Sequence, residues 1–291
     1  MVIKQAILIQ CHDNPDQINK LIDFMPFELF DFYIHIDKKS HIEKFIIEQE
    51  NVFLCEDRVD VKWGRFSQVE ATLSLFELLE EKYYSYVHLI SGADFIIKSP
   101  ENLYSFFQDK ELLFIQCMKL PEESTWRRGG WDRYSVWYPQ WLISRPSQKF
   151  LRVMRLVYRE FIFYTKIFQR RNKPVDIFYG GSQWFSLPGK VVTWITSYLK
   201  EHPEYIKFFK NAIVSDEVFF STLVMNSPYK SMVSQDHLRF MRWEGQTSGG
   251  PKVLGIDDID DMISSDKVFA RKFNDLSVID ELIEKLERTE V

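Results

Sequence analysis

The chain has 291 residues, 45% of them hydrophobic and 16% aromatic, with 37 basic against 42 acidic side chains and a net charge of −5. That apolar share supplies a full core and excludes a disordered chain, and the length fits one large domain or one domain with an insertion. The acidic balance argues against a general nucleic-acid binder.

The first ten residues hold a short apolar run without a charged leader or cleavage site, so they read as a first strand over Ala6 to Gln10. Asn14 and Pro15 then suit an N-cap and a first helical position, and Ile18, Leu21, Ile22 and Met25 follow at helical spacing. Phe32, Ile34 and Ile36 alternate with Tyr33, His35 and Asp37, a strand ending in polar residues; Asn51 to Cys55 is another short strand. Phe66, Val69, Leu73, Phe76 and Leu79 mark an amphipathic helix. Tyr86 to Ile90 reads as a strand opening into Ser91, Gly92, Ala93 and Asp94, and Leu112 to Cys117 as a further strand. Strands alternating with helices predict a mostly parallel central sheet with helices on both faces, whose ligands bind at the carboxyl ends of the strands. Asp37, Lys39, Trp63 and Asp94 all fall at or just past such ends, and His12, after the first strand, can line the same cleft.

Lys149 to Lys173 differs in character, with Lys149, Arg152, Arg155, Arg159, Lys166, Arg170, Arg171 and Lys173 against the single acid Glu160. Phe150, Val153, Met154, Val157, Phe161, Tyr164 and Phe168 interleave. Two readings stand: a helix packed by its apolar stripe with a solvated basic face, or a patch that meets anionic lipid or a lipid-linked acceptor. Cys11, Cys55 and Cys117 are too scattered for a disulfide frame or zinc site and read as buried thiols of a reducing compartment. Val278, Ile279, Leu282, Ile283 and Leu286 mark a C-terminal packing helix.

Two short segments carry chemistry. GGSQWF at 180–185 offers a glycine pair that lets backbone approach a ligand, and Trp184, which can stack on a sugar ring. SDEVFF at 215–220 offers Glu217 as a general base for a hydroxyl. If Ser215 caps a helix, Asp216 and Glu217 are its first two residues and project about 100° apart, so at most one of them faces a cleft, and Asp216 is expected to serve the helix terminus. Trp126, Arg127, Arg128, Trp131, Asp132, Arg133 and Tyr134 form an aromatic and basic cluster that reads as an acceptor-site wall or as a surface loop. Asp258 and Asp260 have the spacing of a metal motif, but acids ahead of an apolar-periodic stretch are what a helix start favours.

These segments, with FYIHIDKKS at 32–40, VKWG at 61–64, HLISGADFIIK at 88–98 and FARKF at 269–273, occur in the order found in one family. The chain resembles the Core-2/I-branching glycosyltransferases, which include β1,6-N-acetylglucosaminyltransferases and peptide O-xylosyltransferases. The resemblance runs from about Ala6 to Phe273 and is weakest over 119–176. It implies a single GT-A-type α/β domain over 1–291, with 119–176 as an insertion. It also implies an inverting enzyme that works without a metal or other cofactor. Arg271 and Lys272 match the family's basic pair on the donor diphosphate, with Lys252 as a weaker third candidate. The resemblance also puts Asp37 and Lys39 near uracil, and Val61, Lys62 and Trp63 beside base and ribose. Asp94 joins this donor set by its place at a strand end. Gln183, Trp184, Trp131 and Arg133 would face the acceptor.

Peptide xylosyltransferases carry Asp where this chain has Gln183; an amide cannot take a proton, which leaves Glu217 as the base. The expected reaction moves a sugar, N-acetylglucosamine in the first instance, from a UDP donor to a hydroxyl of a glycan or lipid-linked saccharide. UDP-xylose, UDP-glucose or UDP-galactose as donor is the alternative within the family, and a glycan-binding module without catalysis is the alternative outside it. Eukaryotic members carry a membrane anchor and stem; the expectation here is a bacterial, cytoplasmic version, peripheral on the inner face of the membrane.

Overall fold

The computed structural model describes residues 2–79, 82–143, 149–167, 169–170, 172–243 and 250–288. Phe168 and Arg171, named above, lie outside them. The strands are β1 (Gln5–Cys11), β2 (Phe30–Ile36), β3 (Val52–Leu54), β4 (Tyr86–Ser91), β5 (Asp94–Ile96), β6 (Met118–Leu120), β7 (Phe178–Gly180), β8 (Phe185–Pro188), β9 (Arg239–Phe240) and β10 (Phe269–Arg271). The helices are α1 (Pro15–Phe24), α2 (Ser67–Glu77), α3 (Pro100–Gln108), α4 (Asp132–Ser135), α5 (Gln140–Ile143), α6 (Lys149–Thr165), α7 (Gly189–Glu201), α8 (Pro203–Phe209), α9 (Phe219–Met225), α10 (Ile259–Ser264) and α11 (Leu276–Arg288).

The central sheet has the order β3-β2-β1-β4-β8. The first four strands are parallel, and β8 closes the edge antiparallel to β4. Side chains of β1 alternate between two cores, as the period of a strand requires. Ile7 and Ile9 pack with α1, α3 and α11, through Ile18, Leu21, Leu103, Phe107, Ile279 and Leu282. Ala6 and Leu8 pack with α2 and α7, through Val69, Phe76, Val191 and Ile195. Burying each of these larger apolar side chains contributes about 1.5–3 kcal/mol. The sheet is therefore covered on both faces, the arrangement expected of a GT-A-type domain. Cys11, Cys55 and Cys117 are buried free thiols, as their spacing predicts.

A small sheet, β5-β10-β9, stands at the carboxyl end of β4, with Arg271 of β10 opposite Asp94 of β5. Over 119–176 the chain builds α4, α5 and α6 around a satellite core of Val136, Tyr138, Leu142, Ile143 and Ile162.

Three expectations fail locally. Leu112 to Cys117 is not a strand: Leu113 and Phe114 each make one isolated bridge, to Val233 and Ser186. Ile115 N–H then turns back to Leu113 O, and the ladder stops; β6 follows it instead. Ser215 caps no helix. Ser215 to Glu217 form a separate 3₁₀ turn entered through Val214 at φ 50°, the Ser215 hydroxyl has no hydrogen-bond partner, and α9 begins at Phe219. Asn14 holds the N-cap position of α1 in a left-handed conformation, but its side chain makes no capping bond. The acids at 257–261 do start a helix, with Asp258 Oδ2 accepting from Gly255 N–H at 2.9 Å.

Candidate active site

A cleft of about 720 Å³ opens where β1, β2 and β4 end. Cys11, His12, Asp37, Ser91 and Gly92 line its floor, as the carboxyl-end rule for such sheets predicts. Of the candidate residues, His12, Asp37, Val61, Trp63, Gln183, Trp184, Glu217, Arg271 and Lys272 all line this cleft. The segment at 214–217 meets 180–185 and 61–64 through backbone: Gly181 N–H donates to Glu217 O at 2.8 Å, and Val214 N–H donates to Gly64 O at 2.9 Å.

FARKF works as a clamp with two anchors. Phe269, Ala270 and Phe273 are fully buried, and Phe273 N–H bonds to Ala93 O at 2.8 Å. Arg271 and Lys272 are thereby held at the cleft wall. The Arg271 guanidinium lies 4.4 Å from the Trp184 ring centre, and its Nε is 3.5 Å from Asp94 Oδ1. That carboxylate is already engaged by Ser91, through backbone N–H at 3.0 Å and hydroxyl at 2.7 Å. The ion pair is accordingly loose, and the buried Nε and Nη1 of Arg271 make no hydrogen bond. A half-buried guanidinium with donors to spare suits a phosphate. Asp94, fully enclosed, positions Arg271 and does not itself line the cleft. Trp184 thus offers one face to Arg271.

On the opposite wall, the Glu217 carboxylate contacts the Arg133 guanidinium, which in turn lies 3.5 Å from the Trp126 ring centre. Trp126 lines the cleft; Arg133 does not, and it acts on Glu217. Trp131 packs edge-on against Phe163, away from the cleft. The glycine pair is required by packing, and Gly181 also lines the cleft. A Cβ on Gly180 would come within 2.6 Å of the Trp126 ring, and one on Gly181 within 2.1 Å of Gln116 O. Gln183 is buried, with Nε2 donating to Gln10 Oε1 at 2.9 Å and Oε1 accepting from Gln68 Nε2 at 3.0 Å. Both ends of its amide are engaged, so it braces the wall between Gln10 and Gln68.

Asp216, expected to serve a helix terminus, instead lines the cleft. It is buried, Oδ1 has no hydrogen-bond partner, and burial together with the neighbouring Glu217 charge raises its carboxyl well above the usual aspartate range. His237 also lines the cleft; burial and the Arg239 charge push its imidazole down to about 4. The Cys11 thiol is pushed up to about 12 by burial, which leaves it inert. Sequence reasoning missed His237, Gln10, Gln68 and His35 as wall residues; His35, the polar residue before Asp37 in an alternating strand, gave the one usable signal.

The nucleoside-end lysines stand outside the lining. Lys39 Nζ reaches Asp37 Oδ1 at 3.0 Å and Val61 O at 2.7 Å, and also contacts Asp60, tying together the loops after β2 and β3. Lys62 pairs with Asp60 at 3.0 Å. Lys252 pairs with Asp258 at 3.3 Å, while its neighbours Gly250 and Pro251 line the cleft. Among the described residues no group of three or more His, Cys, Asp or Glu side chains is arranged to hold a metal ion.

A profile of the Core-2/I-Branching enzyme family matches residues 15–263. Xylosyltransferase 1 of Canis lupus familiaris is 25% identical over 222 residues, 73% of this chain and 21% of that protein. Xylosyltransferase 2 of Rattus norvegicus is 23% identical over 240 residues, 78% of this chain and 25% of that protein. The chain thus spans only a fifth to a quarter of these relatives' length. Among solved structures, residues 1–349 of S. aureus TarS align with a TM-score of 0.30 at 11% identity, covering 69% of this chain and 49% of that one.

Proposed function

We propose, from the premise that the chain belongs to the Core-2/I-Branching enzyme family, that it is an inverting glycosyltransferase whose cleft takes a UDP-sugar. The observation that carries this reading is Arg271: a half-buried guanidinium with unspent donors, lining the same cleft as Glu217. Asp37, Val61 and Trp63 receive uracil and ribose, with Asp37 accepting from the imide N–H. Arg271 and Lys272 take the diphosphate, and no metal is needed for its charge.

In the reaction, Glu217 removes the proton from an acceptor hydroxyl as its oxygen attacks the anomeric carbon opposite the leaving group. The bond from that carbon to the β-phosphate oxygen breaks, and UDP leaves with its new charge held by the basic pair. The configuration at the anomeric carbon inverts. N-acetylglucosamine is the sugar we assign first, delivered to a glycan or lipid-linked saccharide. Likeness to xylosyltransferases favours UDP-xylose as the second reading, against which stands Gln183, an amide held at both ends.

The test is a panel of UDP-sugars, read by calorimetric binding and by slow hydrolysis. UDP binding at micromolar concentration with turnover of one sugar supports the reading. Failure to bind UDP at all would leave a glycan-binding module.

A further inference from the structure

Helix α6 sits with its faces reversed from the arrangement its sequence suggests. Its inward side carries Ile162 in the satellite core, with Met154 and Tyr158 packed on it. The same side carries the arginines: Arg155 Nη1 donates to Ile143 O at 3.2 Å, and Arg159 lies 3.5 Å from both Asp132 and Glu160. Phe150, Val153, Val157, Phe161 and Tyr164 recur every three or four residues along the outward side and are 47 to 74% exposed. Ile167 extends the stripe, and Leu156 widens it. Five apolar side chains aligned on one solvent-facing helix side are more than scattered surface residues require.

Along residues 137–173 the charge is predominantly basic. Arg127, Arg152 and Lys166 are exposed near the stripe, with Lys166 Nζ 4.8 Å from the Phe163 ring centre; Lys173 lies instead over the Tyr134 and Phe178 rings. Between Trp137 and Lys173 the one acid is Glu160, which Arg127, Arg128 and Arg159 engage. This contrasts with a chain that is acidic overall. The adjoining segment adds exposed Trp137 and Trp141, residue types that favour a boundary between water and lipid.

We infer that the outward face of α6 docks on an anionic lipid bilayer, its apolar stripe entering the headgroup boundary and its cationic rim meeting lipid phosphates. The helix lies in the plane of the surface: among the described residues no helix is long and apolar enough to cross a membrane. Docking also bears on the cleft. Glu160 of α6 holds Arg127 and Arg128, next to Trp126 on the cleft wall, and Arg133 of the same stretch holds Glu217. The membrane-facing helix is thus joined to the acceptor wall, and a saccharide on a lipid carrier would reach Glu217 from that side. This last consequence rests on the transferase reading; the docking does not.

The experiment is flotation of the full chain with phosphatidylcholine vesicles containing roughly a third phosphatidylglycerol, at low and high salt. The native chain is expected to float with anionic vesicles at low salt and much less with pure phosphatidylcholine. Val157→Asp with Phe161→Asp should lower the bound fraction roughly tenfold or more. Arg152→Glu with Lys166→Glu should remove most of the salt dependence. Both pairs are expected to keep the native melting temperature and UDP binding. Tyr164→Ser, a milder change, should give an intermediate loss and serves if the aspartate pair fails to fold. Because flotation needs no turnover, it reads docking even if no UDP-sugar is used. No binding to anionic vesicles at low salt overturns the inference. So does a dimer in light scattering that the aspartate pair converts to monomer, which would make this face a contact between two copies.

Discussion

Arg133 and Glu217 form one unit, in which the guanidinium contacts carboxylate Oε2 while lying 3.5 Å from the Trp126 ring centre. Glu217 is thus held from one side by Arg133, which on the proposed transferase reading leaves Oε1 to take a hydroxyl proton. Glu217→Gln keeps shape and hydrogen bonding but removes the base, and should lower kcat by roughly 10²–10⁴. UDP affinity should stay within a few-fold, since the diphosphate clamp is untouched. Near-normal turnover in Glu217→Gln, with Asp216→Asn dead, would move the base to Asp216.

Arg133 acts through Glu217 and touches no reacting atom, so its effect should depend on Glu217. Arg133→Met is expected to lower kcat substantially in the native background and hardly at all in Glu217→Gln. Residues acting as a unit are not additive. Equal losses in the two backgrounds, measured as a double-mutant cycle in kcat, would show that Arg133 contacts the acceptor directly.

The diphosphate clamp is tested by Arg271→Ala with Lys272→Ala. Each charge-assisted contact contributes on the order of 1.5–3 kcal/mol, so the pair should weaken UDP binding by tens-fold or more. Activity should survive EDTA. Loss in EDTA with recovery on adding manganese would require a metal for the diphosphate.

The sheet and its two covering layers were legible because burial writes a period into sequence: Ile7 and Ile9 go to one core, Ala6 and Leu8 to the other. The floor of the cleft followed from strand ends alone. What stayed illegible depended on who packs against whom. The alternation of basic and apolar residues in α6 gives two faces, but not which one turns inward; Asp132 and Ile143 O decide that by drawing in Arg159 and Arg155. Asp216 depends on packing too: a 3₁₀ turn replaces the expected helix start, and its carboxyl both accepts backbone N–H of that turn and lines the cleft.

Gly181 gives a test of packing. A methyl group there would sit 2.1 Å from Gln116 O, a backbone atom that cannot swing away. Overpacking of this kind costs about 1–3 kcal/mol. Gly181→Ala should therefore lower the denaturation midpoint, and it should also lower kcat, because Gly181 N–H holds Glu217 O. An unchanged midpoint would mean that the strand pair β6 and β7 shifts freely.

The buried carboxyl of Asp216 predicts how stability depends on pH. Its folded-state pKa is raised, first by burial and then by Glu217, so the folded protein holds this proton more tightly than the unfolded chain does. Stability from this group is full at pH values below the ordinary aspartate range. It is lost as pH rises through that range toward neutrality, where the folded chain must bury a charge. His237 works the other way. Its imidazole is depressed to about 4, so it favours the folded state above the ordinary histidine range and withdraws that support as pH falls through 6.5 toward 4. The two trends overlap in the native protein, and the comparison with Asp216→Asn separates them. Denaturation of both proteins from acid to neutral pH should show the native chain losing ground to the variant as pH rises, with the gap widest at neutrality. A constant difference across that range would mean that Asp216 is ionised in the folded protein, and that its unpaired oxygen meets a donor in solution.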